Sequence, residues 1–384
     1  TTVLAKALLY RKDLFQQAGL DPRRPPADWD ELLQFSRRIK ALPGKYGITF
    51  SGGPYISYGA YSFLASNGAT FMARGEDGRW RASFNTPEMA EAIYFLLRLV
   101  DEPFEAGGET YKGVAYIGLP GNDASLKWER GQVGMQFTDL QDEMLASINP
   151  ELVGIAPIPK SPRGVGGGDL NARMLGIFRQ TSPRQKLAVM QYIWFVTSER
   201  AQRIRTKVFI DNGYGRFVRP DLLERFGYDD ILRQVPPGWK DTYQLALASG
   251  VPEPYGKNTQ FIYNKVSEPI NWALQQPLLE LPREQAIARI SEGLDLYADR
   301  VDRFLLGELT AEEWSHRRMV GASVLLFIAL VFGGSLVWVW RIFTTEESAR
   351  GSQRSWWSFR TAYLLVMPAL GVVLFWQYIP MIMG

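Results

Sequence analysis

Near its C-terminal end the chain contains 22 consecutive residues without a charged side chain, from Met319 to Trp340. A helix needs about 20 apolar residues to cross the hydrocarbon core of a bilayer. Basic residues flank this run at 316–318 and at Arg341, and tryptophans lie at its end, as is typical of membrane anchors. A capping-box pattern at 310–313 would start the helix in water. The sequence predicts a transmembrane helix over 311–340; the alternative is a buried core helix.

A second uncharged run covers 361–384 and contains two prolines, which membrane helices tolerate better than soluble helices do. The connection at 341–360 is short and polar, so the two runs are expected to form a helical hairpin. Four arginines lie on each side of the first run, at 341–360 and at 300–318. The bias of positive charge therefore does not decide the orientation of the hairpin.

Composition excludes several classes of protein. The chain has no cysteine and one histidine, which excludes disulfides, a thiol nucleophile and clustered histidine ligands. We predict no metal site on this ground, and we also predict no cofactor and no catalytic residue. The formal net charge of +3 is too small to indicate nucleic-acid binding. The chain begins at Thr1 without a signal peptide and ends inside an apolar run, so we expect a piece of a longer protein.

Residues 1–310 alternate strand-like and helix-like segments, which indicates an α/β fold. Four short apolar runs predict buried strands: Ala7–Tyr10, Tyr46–Phe50, Val133–Phe137 and Leu152–Ile158. Capping residues predict helix starts at Asp28, at Thr86-Pro87 and at Ser182-Pro183. An amphipathic helix is predicted over Arg283–Leu306.

Six segments of this region resemble, in order, the bacterial extracellular solute-binding proteins of the maltose-binding, carbohydrate-importer type. They are ALLYRKDLFQQAGLDPRRPPADWDELLQFSRRIKAL (7–42), FNTPEMAEAIYFLLRLVDE (84–102), LKWERGQVGMQF (126–137), VGIAPIPKSPRGVGGGD (153–169), TSPRQKLAVMQYIWFVTSERAQ (181–202) and PREQAIARISEGL (282–294).

The resemblance implies a periplasmic-binding-protein-like fold of two lobes. The second lobe would be nearly complete, from about 1–170 and 216–308. The first lobe would be partial, with only about 174–212 present. By analogy with the family, a segment of roughly a hundred residues that builds most of the first lobe is absent.

The second apolar run also resembles a partner family. AYLLVMPAL and YIPMI, within 362–382, are similar to the first transmembrane helix of the permease subunits of these importers. The resemblance implies a solute-binding protein fused to an ABC permease in the bacterial inner membrane. Residues 1–310 would then lie outside, 341–360 in the cytoplasm, and 361–384 would begin the permease domain. No Walker motif occurs, so ATP hydrolysis would belong to cytoplasmic ATPase subunits beside a second permease subunit.

Sugars are bound by aromatic faces and by planar polar groups that pair with neighbouring hydroxyls. The resemblance implies nine ligand-binding residues: Tyr58, Tyr61, Asp139, Asp169, Asn171, Arg173, Tyr214, Arg216 and Tyr263. Gln141 stands near a position where the family often has a stacking tryptophan, which argues against an ordinary maltodextrin site.

Structural alternatives stay open for most of these residues. Tyr61 and Tyr263, with Phe261, could be core residues, and Asp139 could cap a helix. Asp169 and Arg173 could form a salt bridge between the lobes. Tyr214 and Arg216 lie at a crossing between the lobes, where Arg216 could anchor the hinge.

The resemblance favours capture and import of a small solute, a carbohydrate above all. Two other functions fit the same features. A membrane-tethered sensor would pass a ligand signal through the span, although the proline-containing second run argues against it. A membrane-anchored glycoside hydrolase would need a pair of carboxylates, and no motif singles one out.

Overall fold

The structure is a computed structural model that describes residues 2–119, 123–140, 149, 151–164, 167–306, 311–348 and 371. The chain divides into two compact units, Thr1–Gly307 and Glu308–Gly384.

The N-terminal unit contains one large sheet and two small hairpins. The strands are β1 Thr2–Arg11, β2 Tyr46–Ser51, β3 Met72–Arg74, β4 Trp80–Ala82, β5 Pro103–Ala106, β6 Glu109–Lys112, β7 Ala115–Gly118, β8 Val133–Asp139, β9 Val153–Ala156, β10 Asp169–Arg173 and β11 Val251–Pro252. The large sheet has the order β11-β10-β1-β8-β2-β7, and β9 also pairs with β1. The hairpins are β3-β4 and β5-β6.

The four strands predicted from apolar runs are therefore present, as β1, β2, β8 and β9, and the prediction of an α/β fold is confirmed. Strand β1 is the centre of the sheet, because it pairs antiparallel with β8, β9 and β10. Strands β2 and β8 are parallel to each other, as are β10 and β11. The sheet is thus mixed, with β8 and β10 both antiparallel to the strand between them.

The helices pack on this sheet or extend from it. Those of the N-terminal unit are Lys12–Gln17, Trp29–Lys40, Ile56–Gly59, Tyr61–Ser66, Pro87–Asp101, Asp123–Glu129, Pro183–Thr197, Glu199–Asp211, Pro220–Phe226, Asp229–Leu232, Trp239–Ser249, Ile262–Leu274 and Arg283–Leu306.

Three helices begin where capping residues predict them. The side chains of Asp28 and Thr86 accept hydrogen bonds from the backbone N–H groups of Glu31 and Met89. Ser182 forms a complete capping box with Gln185. Such caps satisfy N–H groups that the first turn of a helix leaves without intrahelical acceptors. The predicted helix Arg283–Leu306 is also present, with the same bounds.

Alternating residues of β1 face two separate apolar cores. Leu8 and Tyr10 belong to the larger core, in which Trp29 stacks on the rings of Phe63 and Phe95 at centroid distances of 4.2 and 4.7 Å. Ala5, Ala7 and Leu9 belong to the smaller core, with Phe217, Trp239 and Tyr243. Because β1 contributes to both cores, it is buried on both faces.

The C-terminal unit contains the helix Ala311–Ser348. Its segment Trp314–Ser335 is long and apolar enough to cross a membrane, with a mean hydropathy of 1.8 and none of its residues buried. It is the single such segment within the part of the chain that the structure describes. The helix continues eight residues beyond Trp340, so the connection predicted to start at 341 is helical at first. The predicted second span at 361–384 lies outside the described residues, apart from Gly371.

Candidate ligand-binding site

The strand register brings charged residues together near the middle of β1. Lys6 lies directly opposite Asp139 of β8. On the other side of β1, Ala5 lies opposite Leu170 of β10, which places Asp169 next to Lys6 across the strands. Facing residues on neighbouring strands have Cβ atoms about 5 Å apart, so their side chains interact. The fold therefore sets one lysine between two carboxylates.

Lys6 and Asp169 form an ion pair that is almost completely buried. Lys6 Nζ lies 3.0 Å from Asp169 Oδ2, and the two side chains are 5% and 0% exposed. The Ser62 hydroxyl donates to Asp169 Oδ1 at 2.5 Å and accepts from the Asp169 N–H. Burial alone would lower the pKa of Lys6, but the carboxylates of Asp169 and Asp139 raise it above its ordinary value. Lys6 thus stays charged and paired with Asp169.

Three tyrosine rings border this pair. Lys6 Nζ lies 4.1 Å from the centre of the Tyr58 ring, within the range of a cation–π contact. Tyr263 meets the rings of Tyr58 and Tyr61 edge to face, at centroid distances of 5.2 and 5.8 Å. The Tyr61 hydroxyl donates to the carbonyl of Pro252. Burial, reinforced by the charges of Glu253 and Asp169, raises the pKa values of Tyr61 and Tyr263, so both phenols stay neutral.

A carboxylate and an amide form the polar part of the cluster. Asn171 Nδ2 donates to Glu253 Oε1 at 2.9 Å, and both side chains are half-buried. The backbone N–H of Glu253 donates to the carbonyl of Leu170, so the sheet fixes Glu253 beside β10. Burial raises the pKa of the Glu253 carboxyl, and the nearby charge of Asp169 raises it further.

Six of the nine residues named from the sequence meet in this cluster: Tyr58, Tyr61, Asp139, Asp169, Asn171 and Tyr263. Tyr58 and Tyr263 are half-buried, whereas Tyr61 is 2% exposed and also packs on Phe71 as a core residue does. Asp139 is the last residue of a strand and not part of a described helix. Asp169 does form a salt bridge, but its partner is Lys6 on the neighbouring strand of the same sheet, so this pair does not join two lobes.

Three of the nine are not brought into the cluster by the described contacts. Tyr214 packs against Phe209, and Arg216 lies over Phe217, which belongs to the core on the other face of the sheet. The side chain of Arg173 lies outside the described residues. Phe261, considered with Tyr263, packs on Phe304.

Lys6, Ser62 and Glu253 belong to the cluster but are not predicted from the sequence. Lys6 carries a usable signal, because it is the one charged residue in the run TVLAKALLY (2–10), and a buried lysine requires a counter-charge. Ser62 and Glu253 had no comparable signal, since only the fold brings residues 62, 169 and 253 together. The structure also shows no group of three or more His, Asp or Glu able to hold a metal ion among the residues it describes.

Comparison with known proteins identifies the class to which this fold belongs. Residues 1–203, more than half of the chain, match the family described as bacterial extracellular solute-binding protein. The chain belongs to that family.

Individual relatives match shorter parts. A binding protein of Brucella abortus (strain 2308) is 32% identical over 166 residues, which are 42% of this chain and 38% of the relative. The sn-glycerol-3-phosphate-binding periplasmic protein UgpB of Escherichia coli O1:K1 / APEC is 34% identical over 109 residues, 28% of this chain and 24% of its own length. The matches therefore span well under half the length of these relatives.

Solved structures share the fold. Maltose-bound MalE3 of T. maritima superposes with a TM-score of 0.53 and 21% identity, covering 77% of this chain and 71% of that one. UgpB of Mycobacterium tuberculosis in complex with glycerophosphocholine gives a TM-score of 0.55 and 17% identity, covering 78% and 70%. At this identity the likeness establishes the periplasmic-binding-protein-like α/β fold and no ligand.

Proposed function

We propose that the N-terminal unit captures a small polyhydroxylated solute, a carbohydrate, for import by an ABC transporter. The observation that carries this proposal is the cluster around Lys6 of β1, on the fold of a solute-binding family. Tyr58 and Tyr263 offer half-buried aromatic rings, and Asn171 and Glu253 offer a paired amide and carboxylate. Sugars are recognised by this combination of ring faces and planar polar groups.

Capture in a two-lobed protein works by closure around the ligand. A ligand that contacts both lobes binds the closed state better than the open one and shifts the population towards it. We assign the cluster to the second lobe, built from about 1–170 and 216–308. Asp169 and Asn171 lie where the chain leaves that lobe, so closure would bring the other lobe towards them.

The segment 174–212 is assigned to the first lobe. No side chain of the helix Pro183–Thr197 is buried, although Leu187, Trp194 and Phe195 are large and apolar. Apolar surface of this extent normally packs against another element. The maltose-bound structure has 29% of its length without a counterpart here, since 71% is covered. A further first-lobe segment of that kind would cover these helices.

The C-terminal unit is assigned to the membrane. The apolar segment Trp314–Ser335 would span the cytoplasmic membrane with residues 2–306 outside it. The connection up to 360 would lie in the cytoplasm, and 361–384 would begin a permease domain. This last assignment rests on the sequence resemblance of 362–382. A second permease subunit and cytoplasmic ATPase subunits would complete the importer.

The test is a thermal-shift panel on the full-length protein in detergent, with mono- and disaccharides, amino acids and polyamines. We expect a sugar or polyol to raise the melting temperature, because a ligand that binds only the folded state stabilises it. The variant Tyr58→Ala should lose the shift. Tyr111→Ala is the matched control, since Tyr111 lies in the separate β5-β6 hairpin and stacks on Phe104.

Two results would contradict the proposal. One is the absence of any stabilising solute in the panel. The other is turnover of an oligosaccharide that a single carboxylate substitution abolishes, which would make the protein a hydrolase.

A further inference from the structure

The cluster around Lys6 of β1 has an unusual charge balance. Its carboxylates are Asp139, Asp169 and Glu253, and its described cation is Lys6. Even if Arg173, two residues beyond Asn171 on the same strand, is counted as a second cation, the carboxylates outnumber the cations. A phosphate-bearing ligand would therefore meet a region with an excess of negative charge.

Lys6 cannot serve as the phosphate-binding group of this region. Its ammonium is 3.0 Å from Asp169 Oδ2, and its side chain is 5% exposed. The Tyr58 ring covers it at 4.1 Å. To reach an anion, Lys6 would have to leave a buried carboxylate behind, and a buried charge without its partner is costly. The positive charge of Lys6 is thus neutralised by Asp169 inside the protein and is not available to a ligand.

Glu253 is held where a ligand hydroxyl can reach it. Its Oε1 accepts from Asn171 Nδ2 at 2.9 Å, and its backbone is tied to the sheet through Leu170. The side chain is half-buried, and a carboxylate has about four acceptor positions, of which this hydrogen bond uses one. A hydroxyl group can donate to such a carboxylate, whereas a phosphate dianion has no proton to donate and is repelled.

We infer that Glu253, together with Asp139 on the other side of Lys6, makes this site select uncharged polyols or sugars and reject phosphorylated solutes. This inference rests on the proposed function and narrows the ligand within it. It also separates the chain from its relative UgpB, whose name gives sn-glycerol 3-phosphate as the ligand. The discrimination arises from like charges at short range in a partly desolvated site, where screening by salt is weak.

The experiment measures binding of matched neutral and phosphorylated solutes to the full-length protein by titration calorimetry. The probes are maltose and maltose 6′-phosphate, D-mannitol and D-mannitol 1-phosphate, and glycerol and sn-glycerol 3-phosphate. We expect a neutral member to bind and its phosphorylated partner to bind at least about tenfold more weakly, as like-charge juxtaposition predicts. Glu253→Gln should reduce this difference in affinity between the neutral and the phosphorylated solute. Glu224→Gln, which removes an exposed carboxylate paired with Lys240, should leave it unchanged.

The outcomes are distinguishable. A phosphorylated probe that binds as tightly as its neutral partner would overturn the charge selection and leave solute capture standing. The absence of binding by every probe would overturn both. If Glu253→Gln does not fold, the wild-type protein still tests the inference. The ratio of its affinity for the neutral solute to its affinity for the phosphorylated solute should fall only slightly between 50 mM and 500 mM NaCl. A ratio that disappears with salt would assign the effect to distant surface charges.

Discussion

Two helices of equal length show how differently the two parts of the N-terminal unit are packed. Pro87–Asp101 and Pro183–Thr197 each have 15 residues, a proline in the first turn and a capping Thr86 or Ser182. The first helix buries eight side chains and the second buries none. Local signals start both helices equally well, but only the first has a sheet and neighbouring helices to cover its apolar face. The difference marks a segment whose apolar side chains are not covered by the residues that the structure describes.

The largest expected effect on the free energy of unfolding comes from replacing one aromatic side chain on each of these two helices. Phe95 is 5% exposed and stacks on Trp29, so Phe95→Ala should lower the free energy of unfolding by about 3–5 kcal/mol through lost burial and a cavity. Trp194 is 62% exposed, so Trp194→Ala should change it by less than about 0.5 kcal/mol. Denaturant titration of the 384-residue chain in detergent measures both. Equal losses would show that the second helix is already covered.

A second comparison uses two lysines, Lys6 in the buried cluster and Lys207 on an exposed helix. Lys6→Met leaves Asp169 charged, buried and without its cation, so unfolding should require about 3 kcal/mol less. Lys207 pairs with Asp211 on the exposed helix Glu199–Asp211, with side-chain exposures of 63% and 53%. Lys207→Met should leave the denaturation midpoint unchanged, because exposed pairs contribute little.

The double variant Lys6→Met with Asp169→Asn is the control for this result. It removes both charges and keeps a group that Ser62 can donate to, so it should recover much of the lost stability. A double variant as unstable as Lys6→Met alone would show that shape, and not charge, causes the loss.

The helix caps should have a smaller effect on stability, which again differs between the two helices. Thr86→Ala should cost about 1 kcal/mol of global stability, because the cap belongs to a helix whose packing is coupled to the core. Ser182→Ala removes an equivalent cap from an unburied helix. Its effect should appear as faster hydrogen exchange of the first turn, with an unchanged global midpoint. A shift of the midpoint in both variants would contradict the difference in packing.

The pH dependence gives the smallest expected effect. Burial raises the pKa of Glu253 above its ordinary 4.5 in the folded state. The folded state therefore holds this proton more tightly, and the carboxyl costs stability as the pH rises above about 4.5. Glu253→Gln should raise the melting temperature at pH 7 more than at pH 4.

Glu31→Gln is a control of opposite sign. A hydrogen bond from the Ala27 N–H, aided by Arg24, lowers the pKa of Glu31. Its charged form stabilises the folded state above the ordinary pKa, and that contribution is lost as the pH falls. Glu31→Gln should therefore lower the melting temperature more at pH 7 than at pH 4. If both variants changed the melting temperature in the same direction at pH 7, the environments assigned to Glu253 and Glu31 would be contradicted.

The site divides between what a sequence can reveal and what it cannot. The tyrosines, Asp139, Asp169 and Asn171 were named because they occur in stretches that resemble cleft-lining parts of a known family. Tyr61 shows the limit, since its residue type suits a ligand platform but its ring is buried against Phe71 and Tyr263. Whether an aromatic side chain faces a cleft or a core depends on neighbours that are distant in sequence.

The α/β class, the four main strands, the capped helix starts and an apolar helix near the C-terminal end are all predictable from the sequence. These features follow from local patterns of apolar side chains, caps and charge, which act over a few residues. The pairing of Lys6 with Asp169, the hydrogen bond between Asn171 and Glu253, and the exposure of the helix Pro183–Thr197 are visible only in the folded chain. These depend on strand register and on packing between elements far apart in the chain, which no local pattern encodes.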